Sequence, residues 1–167
     1  MTRLHLLRHG IAEDAGPATG GRDEPRALTE RGIARMHEGA RGIAALQLGV
    51  DTVLTSPLTR CLQTAGIVCE HIGGTPQQDR RIRPGLDLDA LDDVLLEHPD
   101  AESVLVCGHE PDLSILVAVL TGGAGLHFRK GALAVLDVEA RRPRGARLRA
   151  FYEPRLLRAI GGGAEPA

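Results

Sequence analysis

Arg8 and His9 stand side by side at the end of a mostly apolar run, Leu4–Leu7, and Gly10 follows them. A second apolar run, Asp51–Thr55, leads into Ser56 and Pro57, with Arg60 one helical turn further on. A third, Ser103–Cys107, leads into Gly108, His109 and Glu110. Guanidinium groups pair with phosphate or carboxylate oxygens through parallel hydrogen bonds. An imidazole has an unperturbed pKa of about 6.5, so a neutral population is available near pH 7. A neutral imidazole attacks phosphorus as a nucleophile, and a protonated one stabilises charge on a transferring group. Two arginines and two histidines brought to one place would trap a tetrahedral dianion. The chain has no G-x-x-x-x-G-K-[ST] phosphate loop and no H-E-x-x-H pair, so nothing points to nucleoside-triphosphate cleavage or a zincin site.

Whether these residues meet depends on the elements that carry them. The three runs are short and rich in leucine or β-branched residues, as expected of strands buried on both faces of a parallel sheet. Open parallel sheets bind ligands outside the carboxyl ends of their strands, where all three polar clusters fall. Side chains in a helix lean toward its N-terminus, so Arg60 is expected to point back to the mouth of the sheet, beside a helix end that favours anions. Neighbouring strand residues face opposite ways, so Arg8 and His9 share a site only if the strand stops there; Gly10 is expected to permit the turn.

Helical patterns separate the strands. One starts after Thr29, a good N-cap, and spaces Ile33, Met36, Ala40, Ile43 and Leu46 by three or four. A second follows Ser56, expected as its N-cap, with Pro57 in the first helical position. DALDDVLLEH reads as a third, ending before Pro99, and PDLSILVAVLTGG as a fourth, mostly buried and closed by glycine. ALAVLDVEA and ARLRAFYEP, separated by the turn-prone RRPRG, read as an antiparallel hairpin at a sheet edge. The expected class is α/β, a three-layer α/β/α sandwich with a mostly parallel sheet and an antiparallel edge. One domain is expected over residues 1–158, with a flexible tail over 159–167. The sixteen residues from Ala12 to Ala27 are rich in Gly, Pro and charge, and loops of that length are usually functional or mobile.

Composition narrows the classes of partner. The 167 residues suffice for one domain with a proper core, and 43% are apolar, which excludes a disordered chain. Aromatics are only 2%, too few for base-stacking platforms, and a net charge of −2 offers no global field to nucleic acid or an anionic membrane. Neither is an expected partner. Three cysteines without a C-x-x-C pair, and no signal-like or membrane-length apolar run, point to a cytoplasmic protein. Cys107 reads as core filling in a strand rather than a nucleophile. His5 reads as structural, while His37, His71, His98 and His127 lack a metal-ligand pattern and read as solvated or capping residues. The arginines of RRPRGARLR read as a turn plus a solvated strand face. Alone, His9 would pass for a core histidine bonded to a carbonyl, and Arg60 for a surface charge. The three clusters together favour a site.

LLRHG, SPLTRCLQTA and VLVCGHEPDLS, in that order and each after a strand, resemble the histidine phosphatase superfamily, also called phosphoglycerate-mutase-like. The resemblance covers roughly residues 3–120, and the C-terminal strands more loosely. DEPRALTERG is similar to a stretch of the SixA branch, the phosphohistidine phosphatases: Asp23, Arg26, Leu28, Thr29 and Gly32 match, and Ala27 replaces a proline. The resemblance implies His9 as the nucleophile that becomes phosphorylated, with Arg8, Arg60 and His109 as the phosphate clamp. Arg26 would reach the phosphate from the long loop, with Asp23 beside it, unless these two only brace the loop; Gly10 and Ser56 are expected to bind substrate. No metal or organic cofactor is implied.

Many members carry a glutamate in a Pro-Glu-Leu stretch as proton donor. Here that stretch is Pro84-Gly85-Leu86, which leaves Asp87, Asp89, Asp23 and Glu110 as candidate acids. A phosphohistidine leaves as an imidazole that can carry its own proton, whereas an alkyl ester needs a positioned acid worth ~10²–10⁴-fold. The expected function is hydrolysis of a phosphoryl group through a covalent phosphohistidine. The expected partner is a phosphohistidine-carrying protein domain in signal transduction, and the product is inorganic phosphate. A phosphatase for a sugar or metabolite phosphate is the alternative, and a non-catalytic phosphate-binding domain the third reading.

Overall fold

Alternate residues of the central strands enter two separate cores, and that alternation builds the layers. In the computed structural model, which describes residues 1–123 and 125–162, β1 (Thr2–Arg8) sends Leu4 and Leu6 into one core and Leu7 into the other. β4 (Ser103–Gly108) divides Val104 and Val106 from Leu105 and Cys107 in the same way. β5 (Leu133–Val138) divides Ala134 and Leu136 from Leu133 and Val135. The first core is closed by α3 (Leu88–Leu96) and α4 (Asp112–Thr121), through residues such as Leu91 and Leu116. The second is closed by α1 (Glu30–Ala45), α2 (Thr59–Ile72) and α5 (Pro154–Ile160), through Met36, Ala65 and Leu157. The chain is thus a three-layer α/β/α sandwich.

With β2 (Thr52–Thr55), β3 (Gln77–Gln78) and β6 (Ala146–Tyr152), the sheet has the order β3-β2-β4-β1-β5-β6. The first four run parallel, and β5 and β6 form the antiparallel edge. Register sets Arg8 beside Gly108 and Thr55 beside Cys107. Three polar clusters therefore leave the sheet at the same end of three adjacent strands.

Side-chain caps explain the starts of α1 and α3, while α2, α4 and α5 have none. Thr29 accepts the Gly32 amide at 2.9 Å and Asp87 the Ala90 amide at 2.9 Å, while α4 closes on Gly122 at φ 65°. α2 differs from expectation. It begins at Thr59 after Leu58, with no side-chain cap, so Ser56 and Pro57 lie outside the helix. Two elements were not anticipated. β3 is a two-residue polar strand beyond β2. α5 runs through Ile160, so the boundary at 158 falls inside a helix; residues 163–167 of the expected tail lie outside the described residues. The long loop holds a single 3-10 turn, Pro17–Thr19, and is clasped where Ala12 bridges Leu28. Among the described residues no helix is long and apolar enough to cross a membrane.

Candidate active site

β1 and β4 end side by side, and His9 leaves β1 with its amide donating to the Gly108 carbonyl at 3.2 Å. Its Nδ1 lies 2.8 Å from the Gly10 carbonyl, which can only accept, so Nδ1 carries the proton and Nε2 the lone pair. Burial pushes the His9 pKa down to about 3; the Gly10 carbonyl opposes this, and Arg60, His109 and Arg8 push it further down. His9 is therefore a neutral imidazole with a fixed tautomer. Gly10 has no left-handed backbone, contrary to the expected turn role. It is glycine because a Cβ would come within 2.6 Å of Met36 Cγ. Its amide donates to Thr64 Oγ1 at 3.0 Å, and Thr64 donates in turn to the Arg60 carbonyl at 2.7 Å.

Arg60, 4% exposed, lies between the two histidines. Its Nε donates to His9 Nε2 and its Nη2 faces His109 Nδ1, both at 3.3 Å, and the two rings are 5.4 Å apart. A guanidinium only donates, so each imidazole turns a lone pair toward it. The other nitrogen of His109, Nε2, then donates to Ser56 Oγ at 2.9 Å. That hydroxyl also accepts the Leu58 amide at 3.3 Å. Ser56 is thus committed to aligning His109 rather than capping α2. Cys61 adds its thiol at 3.5 Å from His109 Nε2, and hydrogen bonding with Cys107, working against burial, lowers the Cys61 pKa to about 6.

Arg8 is held from the opposite side. Its Nη1 donates to the Phe128 carbonyl at 2.5 Å, while its buried Nε has no partner among the described residues. Phe128 is fully buried, and its amide donates to Glu110 Oε1 at 2.8 Å. Glu110 Oε2 accepts the Ser114 amide and hydroxyl at 3.1 and 2.8 Å. Glu110 therefore braces the segment that aims Arg8, with both oxygens occupied.

The long loop closes over this cluster. Asp23 Oδ2 accepts from Arg60 Nη2 at 2.9 Å, its carbonyl accepts Arg60 Nη1 at 3.0 Å, and Oδ1 accepts from Arg26 at 2.8 Å. Partial burial works against the Asp23 charge, but bonds and charges from Arg26 and Arg60 outweigh it and hold the carboxyl below its ordinary value. Arg26 is tied to the Glu13 carbonyl at 2.6 Å. Of the other expected acids, Asp87 caps α3 and Asp89 is exposed in its first turn. Asp112, which sequence reasoning missed, accepts the Gly85 and Leu86 amides and pins that stretch. Gly85 itself sits at φ 102°, a backbone that a side chain rarely adopts. Thr64 was also missed, although its place four residues after Arg60, on the same helix face, was a readable signal. Among the described residues, no group of three or more His, Cys, Asp or Glu side chains is disposed to hold a metal ion.

Comparison with known proteins bears on this arrangement. Residues 4–84 match the model of the histidine phosphatase superfamily (branch 1). An uncharacterized protein of Picosynechococcus sp. is 34% identical over 160 residues, spanning 92% of this chain and 93% of that one. Among solved structures, the fold is similar to the protein histidine phosphatase SixA complexed with tungstate, with TM-score 0.80 and 24% identity over 92% of this chain and 98% of that one. It is also similar to a proposed phosphohistidine phosphatase SixA from Agrobacterium tumefaciens, with TM-score 0.75 and 26% identity over 92% and 99%.

Proposed function

Because this chain belongs to the histidine phosphatase superfamily, we propose that it removes phosphoryl groups from histidine side chains of a partner protein, by way of a phosphohistidine formed on its own His9. Phosphatase chemistry is what the family and the fold support. The observation that carries the finer reading is the fixed tautomer of His9, whose Nε2 lone pair opens onto the Arg60 guanidinium.

The clamp supplies charge stabilisation and the imidazole supplies the nucleophile. Phosphoryl oxygens take hydrogen bonds from the unpartnered Arg8 Nε and from Arg60, whose Nη2 releases the Asp23 carboxylate. Once the Arg60 Nε hydrogen bond to it is released, His9 Nε2 attacks phosphorus. The P–N bond of the substrate breaks and its electron pair stays on the leaving nitrogen, which departs as a neutral imidazole because the ring's other nitrogen already carries a proton. Water then attacks the phosphorylated His9, the P–Nε2 bond breaks, and inorganic phosphate leaves with His9 restored. Throughout, Nδ1–H stays on the Gly10 carbonyl and spreads the positive charge that develops on the ring.

The acid inventory favours an N–P substrate. Glu110 and Asp87 are engaged in structural hydrogen bonds, and Asp23 is an ion-paired carboxylate with a lowered pKa. Each of these three carboxylates thus already serves a structural or ion-pairing bond. A substrate panel tests this in one buffer. Phosphoramidate and a phosphohistidine protein are expected to turn over about a hundredfold or more faster in kcat/KM than alkyl phosphates. Comparable rates on sugar phosphates would move the reading to a metabolite phosphatase.

A further inference from the structure

Beside the clamp lies a groove that shares Arg8 with it and whose remaining charged lining the phosphoryl chemistry does not use. It has a volume of about 630 Å³ and runs from Arg8 and Gly10 between α1, α5 and residues 127–131. Six of the twenty lysines and arginines line it (Arg8, Arg35, Arg129, Lys130, Arg155 and Arg158), against one acidic residue, Glu153. In a chain of net charge −2, that is a local concentration of positive charge against the average. Internal pairing accounts for part of it: Arg155 is partnered and Arg8 donates to the Phe128 carbonyl. Arg129 reaches Glu153 only at 4.0 Å and Arg158 reaches Glu38 at 3.7 Å. Lys130 has no hydrogen-bond or ion-pair partner among the described residues. Slight burial, with Arg31 and Arg158 close by, holds the Arg35 guanidinium below its ordinary value. Crowding like charges works against the compact state, so the fold keeps them at a cost. Gly39 adds a second observation. Glycine weakens a helix interior, yet a Cβ at this position of α1 would meet nothing within 4 Å. Its missing side chain relieves no clash and leaves the groove open.

We propose that this groove docks a row of carboxylates on the protein that carries the phosphohistidine, holding that partner while its phosphoryl group enters the clamp. The proposal rests on the phosphatase reading above. Gly32, Arg35, Met36 and Gly39 set the groove along roughly 10 Å of α1, about two turns. Positive charge spread over that length matches several carboxylates on one helix or strand. Exposed cations at the rim also steer an acidic partner and raise its association rate.

The test uses the full chain and three substrates: phosphoramidate, a phosphohistidine peptide flanked by aspartates, and the same peptide flanked by asparagines. The double variant Arg35→Gln, Lys130→Gln is compared with Arg147→Gln, which removes a charge at the far end of the sheet where the side chain is 78% exposed. The double variant is expected to raise KM for the aspartate peptide about tenfold, with kcat and the other two substrates changed less than about twofold. Arg147→Gln is expected to change none of them. Unphosphorylated hexa-aspartate is expected to compete with the aspartate peptide, and succinate at equal carboxylate concentration is not. Equal KM for the two peptides in the parent protein would overturn the proposal, as would inhibition by succinate as strong as by hexa-aspartate. If the parent protein turns over none of the substrates, the phosphatase reading fails. The groove is then decided separately, by fluorescence anisotropy of labelled hexa-aspartate: binding lost in the double variant supports it, and binding retained there contradicts it.

Discussion

Asp23 puts a carboxylate on the guanidinium that must receive the phosphoryl group. Its Oδ2 is 2.9 Å from Arg60 Nη2, and its side chain is 50% exposed, so the pair is screened and exchangeable. Asp23 is then an internal competitor of phosphate. Replacing it by asparagine removes the charge and leaves one acceptor oxygen, so only one of the two side-chain bonds to arginine survives. Asp23→Asn is expected to tighten competitive inhibition by inorganic phosphate about two- to fivefold. Weaker inhibition would mean that Asp23 organises Arg60 instead of competing for it. Arg60→Ala is expected to lower kcat/KM for phosphoramidate by about 10²–10³, and a loss under about tenfold would remove Arg60 from the clamp. Arg8, His9, Arg60 and His109 were legible in the sequence because each follows an apolar run directly or by one helical turn. Asp23 was legible as a loop residue beside Arg26 and as one of several candidate acids; its bond to Arg60, 37 residues away, was not. The parts of Ser56 and Gly10 were misjudged for a common reason. Local rules assign a serine to a cap and a glycine to a turn, whereas here His109 and Met36 decide.

Element packing turns on close approaches at glycine. In α1, a Cβ at Gly42 would lie 2.0 Å from the Leu157 carbonyl, so α5 seats only because that side chain is missing. In α2, Gly66 has nothing within 4 Å of its Cβ position. The same substitution should therefore have opposite signs. Gly42→Ala is expected to destabilise by about 1–3 kcal/mol, and Gly66→Ala to stabilise by about 1 kcal/mol. Both are read from urea midpoints, and equal signs would contradict this account of the packing. β1, β2, β4, β5 and β6 and helices α1, α3 and α4 were legible from apolar periodicity and turn or cap residues, and α2 was legible apart from its start. α5 was not. It is seven residues long, has no side-chain cap, and buries only Leu157 fully. Such a helix exists through its contact with α1, which no local pattern encodes. β3, with two exposed glutamines, forms by pairing with β2 alone.

The whole molecule carries a pH liability created by the same burial that keeps His9 nucleophilic. Burial lowers His5 to about 4 and His9 to about 3. Below about pH 6.5 the unfolded chain binds protons at both positions while the fold does not. Stability is therefore complete above pH 6.5 and falls as pH drops toward 4 and 3, by about 1.4 kcal/mol per pH unit for each histidine. A lower urea midpoint at pH 5.0 than at pH 7.5 is the expected outcome, and equal midpoints would mean that these imidazoles are not held neutral. At this scale the α/β/α class and the antiparallel edge were legible, because topology follows from the order of strand and helix patterns. The cationic groove was not, since its lining comes from four separated segments of chain. The central claim, that His9 takes the phosphoryl group, is tested most directly by trapping the enzyme during turnover of phosphoramidate. The sample is denatured in alkali, where phosphohistidine survives, and the phosphorylated residue is located by mass spectrometry. A phosphoryl group on His9, labile in acid and absent from His9→Ala, is the predicted result; steady turnover with no phosphate on His9 would contradict the account.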